Sequence, residues 1–340
     1  MRYLPIIMVV LLFFAVGCGE KEEFVINCEV SGLESRGVEM FYTTSQGLQR
    51  ASFHPVDGKV ELKGVAASPV MVEVFTLDNK RLFACIASNG DELTVKVDPS
   101  NPGSLEVKGN EASEQYAAFM AANAKILEGN DCEAVNRLVA SEVRANPKNL
   151  ASAMILATCF DTEGHELQAD SLIDILSSDP AMIKVMGSFV NLVRDQVVPS
   201  ARGNLKPITF HTARDTVAIY APSNQSYSLI AFVSQNKGDS VKRVLRRLHK
   251  KLPAKRFKVL EIAMTGDSLS WSASIKGDSA KWMQAWAPGG AAHAALRPYR
   301  IGRLPYFIVA DSLGRQLYRG TAVSVAEDSV ERHLKAYLTD

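Results

Sequence analysis

From Phe24 onward, apolar and polar positions alternate. In "EFVINCEVSGL", Phe24, Ile26, Cys28 and Val30 fall on one face, the period of a half-buried strand. "KVELKG", "PVMVEVFTL", "RLFACIAS", "DELTVKVD" and "SLEVKG" repeat the pattern, with the turn formers "VDGK", "SNGD" and "DPSNPGS" between them. Short strands with frequent turns predict an antiparallel β sandwich or barrel-like domain over 24–110. Over 111–200 the period lengthens to that of helices. Tyr116, Phe119, Met120, Ile126 and Leu127 form one stripe, Ile155, Leu156, Cys159 and Phe160 a second, and Ile183, Met186, Phe189, Val190 and Val193 a third. "NPKN" and "SSDP" punctuate this helical bridge, because a residue before proline is disfavoured in helix. "VPSARGNLKP", from Val198 to Pro207, reads as a linker.

Over 206–340 strand and helix patterns alternate. "TVAIYA", "YSLIAFVS", "FKVLEIAM", "LPYFIVAD" and "QLYRG" read as strands. "DSVKRVLRRLHKKL", a helix-prone stretch around "SAKWMQAWA", and "SVERHLKAYL" read as helices. The predicted order is β-β-α-β-α-β-β-α, an α/β domain. The chain as a whole is therefore expected to be α+β and multidomain.

The first residues carry a different pattern. Arg2 is followed by the apolar run "LPIIMVVLLFFAVG" and then Cys18 and "GEKEE". A basic start, an apolar run and a small residue before the break define a secretory signal. "AVGC" resembles a bacterial lipobox, with Ala15 in place of the usual leucine. The resemblance implies a signal peptide over 1–17, lipidation of Cys18 and a tether over 18–23. It further implies a membrane partner through the lipid anchor and a place in the cell envelope, on the outer membrane, facing the periplasm or the surface. More than one acyl chain gives stable anchoring.

Composition adds limits. The 340 residues are 47% apolar and 22% charged, which is ordinary for a globular protein, and a net charge of +1 offers no global signal for nucleic acid. Loss of the signal segment removes Arg2 and one charge. Cys28, Cys85, Cys132 and Cys159 then remain. An exported protein meets an oxidising compartment, so these four are candidates for disulfides, and the sequence does not choose among three pairings. Buried small hydrophobes are the alternative reading for Cys28 and Cys85.

The C-terminal half resembles the thioredoxin-like domain of periplasmic thiol–disulfide lipoproteins. "KPITF" is similar to the entry segment, "SLIAFVS" to the strand that delivers the active site, and "FKVLEIAMTGDSLSW" to the strand and loop that follow. "YRIGRLPYFIVADSLGRQLYRG" resembles the segment carrying the cis-proline, a buried strand and the final hairpin. The front half resembles the small β domain of unknown role that often precedes such domains in lipoproteins.

The resemblance implies two redox cysteines at the elbow after "AFVS". They are missing. In one register the motif positions are Asn236, Lys237, Gly238 and Asp239; shifted by one they are Lys237, Gly238, Asp239 and Ser240. Residues 160–340 contain no cysteine. Ala231 stands where relatives often carry an acid. What the resemblance leaves is Pro305 at the cis-proline position, with Leu304 and Tyr306 beside it as a candidate surface for an extended peptide. The alternative is that Pro305 serves the fold alone.

The basic run from Lys242 to Lys258 contains no acid and lies opposite an apolar helical stripe. A solvated face explains it, as does contact with anionic lipid, lipopolysaccharide or an acidic partner. "TGDSL" imitates an esterase nucleophile block at Ser268, but its partner motifs are missing: His333 follows Asp328 at the wrong spacing. Trp271, Trp282 and Trp286 read as core. No zinc spacing among the six histidines and no phosphate loop is present, so neither metal nor cofactor is expected. The expected function is a redox-inactive thioredoxin-like lipoprotein that binds or scaffolds protein or peptide partners. The alternative is a thiol–disulfide oxidoreductase relative using other or partner cysteines.

Overall fold

The computed structural model describes residues 22–337, apart from 34–35, 130, 213–215, 224, 235–238, 277–279 and 295. Cys18 and the elbow positions Asn236, Lys237 and Gly238 lie outside the described residues. The chain divides into two compact units, one of 1–160 with 174–188 and the other of 161–173 with 189–340. The helical segment 111–200 is thus shared between them. No described helix is long and apolar enough to cross a membrane.

The first unit holds eight strands: β1 (Phe24–Val30), β2 (Val38–Thr44), β3 (Gly47–Phe53), β4 (Lys59–Gly64), β5 (Val70–Thr76), β6 (Arg81–Ala87), β7 (Glu92–Asp98) and β8 (Asn101–Lys108). They form two four-stranded sheets, ordered β4-β1-β7-β8 and β3-β2-β5-β6. The alternation works as read: Phe24, Ile26, Cys28 and Val30 are all buried. The two inner faces meet where the Phe24 ring packs edge-on against Tyr42, centroids 5.4 Å apart. The expected all-antiparallel pairing needs one correction. β1 and β7 run parallel, Ile26 opposite Leu93, because the chain visits the other sheet between them and returns in the same direction.

Helices α1 (Glu111–Ala122), α2 (Cys132–Ala145) and α3 (Leu150–Cys159) follow. Asn110, Asp131 and Asn149 cap their N-termini, each accepting from a backbone N–H of the first turn. Ser113 Oγ ties α1 to β6 by donating to Ile86 O and accepting from Ile86 N–H. Helix α4 (Glu166–Leu176) begins in the second unit and ends in the first.

The second unit is built on a seven-stranded sheet ordered β10-β9-β13-β12-β11-β14-β15. Its strands are β9 (Ile208–Thr212), β10 (Val217–Tyr220), β11 (Tyr227–Val233), β12 (Phe257–Ala263), β13 (Met283–Trp286), β14 (Tyr306–Ala310) and β15 (Gln316–Gly320). β11, β12 and β13 are mutually parallel, and β14 is antiparallel to β11. Helices α5 (Asp239–Lys251), α6 (Ser268–Lys276) and α7 (Val323–Leu334) complete it. One sheet face buries Leu229, Ala231 and Phe307 under Val241, Leu245 and Leu248 of α5 and Ala326 and Val330 of α7. Each of the Val, Leu and Phe side chains contributes about 1.5–3 kcal/mol on burial.

Three expectations change here. "WMQAW" is strand β13, not helix, because it extends the parallel sheet beyond β12 and buries Ala285 at its centre. "KPITF" contributes a strand, β9. The stretch read as a linker is packed: Val198 and Leu205 are buried, and Gln316 Nε2 donates to Ser200 O at 2.8 Å and Gly203 O at 2.7 Å.

Candidate functional site

β11 is buried along its length because it lies between β12 and β14 with core on both faces. It ends at Val233, and Ser234 is exposed. Helix α5 begins at Asp239, and Ser240 in its first turn is exposed. The described part of the elbow thus offers a serine on each side and no sulfur. Ala231 pairs in register with Glu261 on β12, and Glu261 is 3% exposed. Trp282 Nε1 donates to Glu261 Oε2 at 3.0 Å. The buried acid at this level of the sheet stands on β12, not at the Ala231 position of β11. The one available signal was a carboxylate inside the otherwise apolar run "VLEIA".

Opposite the end of β11, Phe232 pairs with Tyr306 at the start of β14. The Leu304–Pro305 peptide bond is cis. Leu304 is 38% exposed, and among the described residues neither its N–H nor its C=O has a hydrogen-bond partner. Tyr306 requires a correction. It is fully buried, with its hydroxyl accepting from Arg319 Nε at 2.8 Å, and burial holds its phenol protonated far above the ordinary range. Tyr306 is core, so the accessible surface consists of Leu304 and the loop before it.

That loop is held from the segment 161–166. Glu163 Oε1 accepts from Gly302 N–H and Arg303 N–H, each at 3.0 Å. The Arg303 guanidinium lies 2.5 Å from Asp161 Oδ2 and 3.7 Å from Glu163 Oε2. Behind the loop a cavity of about 210 Å³ gathers Glu163, Glu166, Arg300 and Arg319. These contacts join residues more than a hundred positions apart, so no local pattern announced them.

The cysteines lie elsewhere, in the first unit. None of Cys28, Cys85, Cys132 and Cys159 is in a disulfide. Burial pushes the Cys28 thiol up to about 12 and raises Cys85 further. Burial likewise raises Cys159, whose Sγ lies 3.7 Å from Met120 Sδ. An attacking thiol needs the opposite shift, toward thiolate. Among the described residues no three acidic, histidine or cysteine side chains group to hold a metal. Ser268 opens α6, with the adjacent Asp267 carboxylate bonded to Leu269 N–H at 2.9 Å, which is a helix cap and not a catalytic dyad.

No family model and no curated protein matches the chain. Several solved structures resemble part of the chain. The thioredoxin domain of a thiol-disulfide oxidoreductase from Bacteroides vulgatus is 17% identical over 39% of this chain and 96% of its own, with a TM-score of 0.34. A thiol-disulfide oxidoreductase from Bacteroides fragilis is 20% identical over 39% of this chain and 98% of its own, with a TM-score of 0.33. An uncharacterized thioredoxin-like protein from Bacteroides vulgatus is 18% identical over 39% and 88%, with a TM-score of 0.34. The chain itself is α+β, with three sheets among the described residues. In its second unit parallel β11 and β12 are joined through α5, and antiparallel β14 and β15 are followed by α7.

Proposed function

We propose that the second unit is a thioredoxin-like domain that keeps a peptide-docking edge without dithiol chemistry. It belongs to a lipid-anchored protein of the bacterial cell envelope that binds or scaffolds other proteins. The observation that carries this reading is the lack of sulfur in either register of the elbow motif, together with a Leu304 main chain that has no hydrogen-bond partner among the described residues. Dithiol exchange needs one thiolate to attack and a second sulfur to resolve the mixed disulfide. No cysteine occurs after Cys159, and neither register of the motif supplies one. An extended partner segment can instead add alongside Leu304 through main-chain hydrogen bonds. The anchor rests on "AVGC" and Cys18.

A photo-reactive side chain placed at 304 in living cells tests the reading. The same probe at Leu48, an exposed position in the first unit, is the control. Protein adducts at 304 and not at 48 are expected. Identical adduct patterns at the two positions defeat the proposal.

A further inference from the structure

The near-zero net charge of the chain conceals a strong asymmetry. The second unit, 161–173 with 189–340, contains 23 Lys and Arg against 15 Asp and Glu, a net charge of +8, while the whole chain carries +1. The remaining residues therefore sum to −7. On α5, Arg247 pairs with Glu327, and Lys251 Nζ lies 3.6 Å from Glu331 Oε1. Lys250, Lys255 and Lys258 are exposed.

The docking loop repeats this bias at short range. "LRPYRIGRLP" places Arg297, Arg300 and Arg303 just before Leu304, and all three are exposed. Among the described residues Arg297 and Arg300 have no acidic partner. Arg300 Nη1 donates to the neutral Gln196 Oε1 at 2.5 Å. Arg303 shows what the loop accepts: it and the adjacent amides already hold the carboxylates of Asp161 and Glu163. We infer that the segment docked at Leu304 is acidic, its main chain pairing with Leu304 and its Asp or Glu side chains reaching Arg297 and Arg300. The inference rests on the docking reading and supplies the chemical class of the partner. Long-range attraction toward the basic unit raises the encounter rate, and the two arginines discriminate at contact.

The test uses the full chain in neutral detergent and fluorescent extended peptides that differ only in Glu, Gln or Lys content. The Glu peptide is expected to bind about tenfold tighter than the Gln peptide at low salt, with the gap closing as salt screens the charges. Arg297→Gln with Arg300→Gln is expected to abolish that gap, while Arg297→Lys with Arg300→Lys retains most of it. Equal binding of Glu and Gln peptides overturns the acidic preference and leaves docking intact. Binding of no peptide overturns both. Capture by phosphatidylglycerol bicelles that the Glu peptide does not compete away assigns the basic excess to lipid and overturns the inference.

Discussion

Arg319 Nε lies 2.9 Å from Glu166 Oε1, and both side chains are more than nine-tenths buried. Arg319 also donates to Tyr306 Oη at 2.8 Å and Ser200 Oγ at 3.0 Å, and bonds the Tyr299 carbonyl. A guanidinium with this many acceptors is satisfied, whereas the carboxylate gains less. Burial raises the Glu166 pKa despite the opposing pull of Arg319. The two halves of the pair are therefore unequal. Arg319→Met is expected to cost about 3–5 kcal/mol in urea unfolding of the second unit, because it strands a buried charge. Glu166→Gln is expected to be mild. A severe Glu166→Gln and a silent Arg319→Met defeat this account.

The same pair sets a pH dependence. An acid whose folded pKa is raised binds its proton more tightly when folded. Its contribution is present in full below the unfolded value, near 4.5, and is lost as pH rises through the folded pKa. Stability of the second unit should accordingly decline as pH rises from 4.5, and Glu166→Gln should flatten that slope. An unchanged slope in Glu166→Gln refutes the assignment.

Thiol reactivity separates the cysteines. Burial keeps Cys28, Cys85 and Cys159 protonated at neutral pH, and Cys132 is half-exposed at the start of α2. In a thiol-reagent assay on the native protein, Cys132 should react first, and Cys132→Ser should remove the fast phase. Denaturation should release the remaining thiols equally with and without reductant. A fast phase that survives in Cys132→Ser contradicts the burial argument.

Insulin reduction supplies the functional counterpart. No turnover above background is expected, since the attacking and resolving sulfurs are both missing from the second unit. Thioredoxin-like turnover by the purified protein ends the redox-inactive reading.

Gly109 tests the first unit. Its φ is +100°, and an added Cβ would meet Glu92 O at 2.3 Å. Gly90 has φ +93° with open space around it. Gly90→Ala adds only conformational strain, on the order of 1 kcal/mol, and Gly109→Ala should cost clearly more because backbone must also move. Equal losses in thermal melts argue against the close approach.

Much of the architecture was legible because burial enforces periodicity. Phe24, Ile26, Cys28 and Val30 alternate since one face of β1 is core, and Val241, Val244, Leu245 and Leu248 recur since one face of α5 is. β13 was not legible. Its four residues are too few to display a period, and Met, Gln, Ala and Trp carry no β-branched signal. The loss of sulfur at the elbow could be read from residue identity alone. The clasp of Glu163 on Gly302 and Arg303 could not, because only the folded chain brings those positions together. Tyr306 was misplaced for a related reason: adjacency to Pro305 in sequence says nothing of which side of β14 a ring takes.

β1 lies between β4 and β7, antiparallel to one and parallel to the other. A polypeptide that emerges from its beginning therefore delivers this central strand long before Glu92–Asp98 exists to flank it. Until then one border of β1 stands unpaired, a template for pairing with other molecules. Any factor that escorts the nascent protein must shield Phe24–Val30 through that interval, and a truncation ending before β7 should yield aggregates in place of a smaller soluble sandwich.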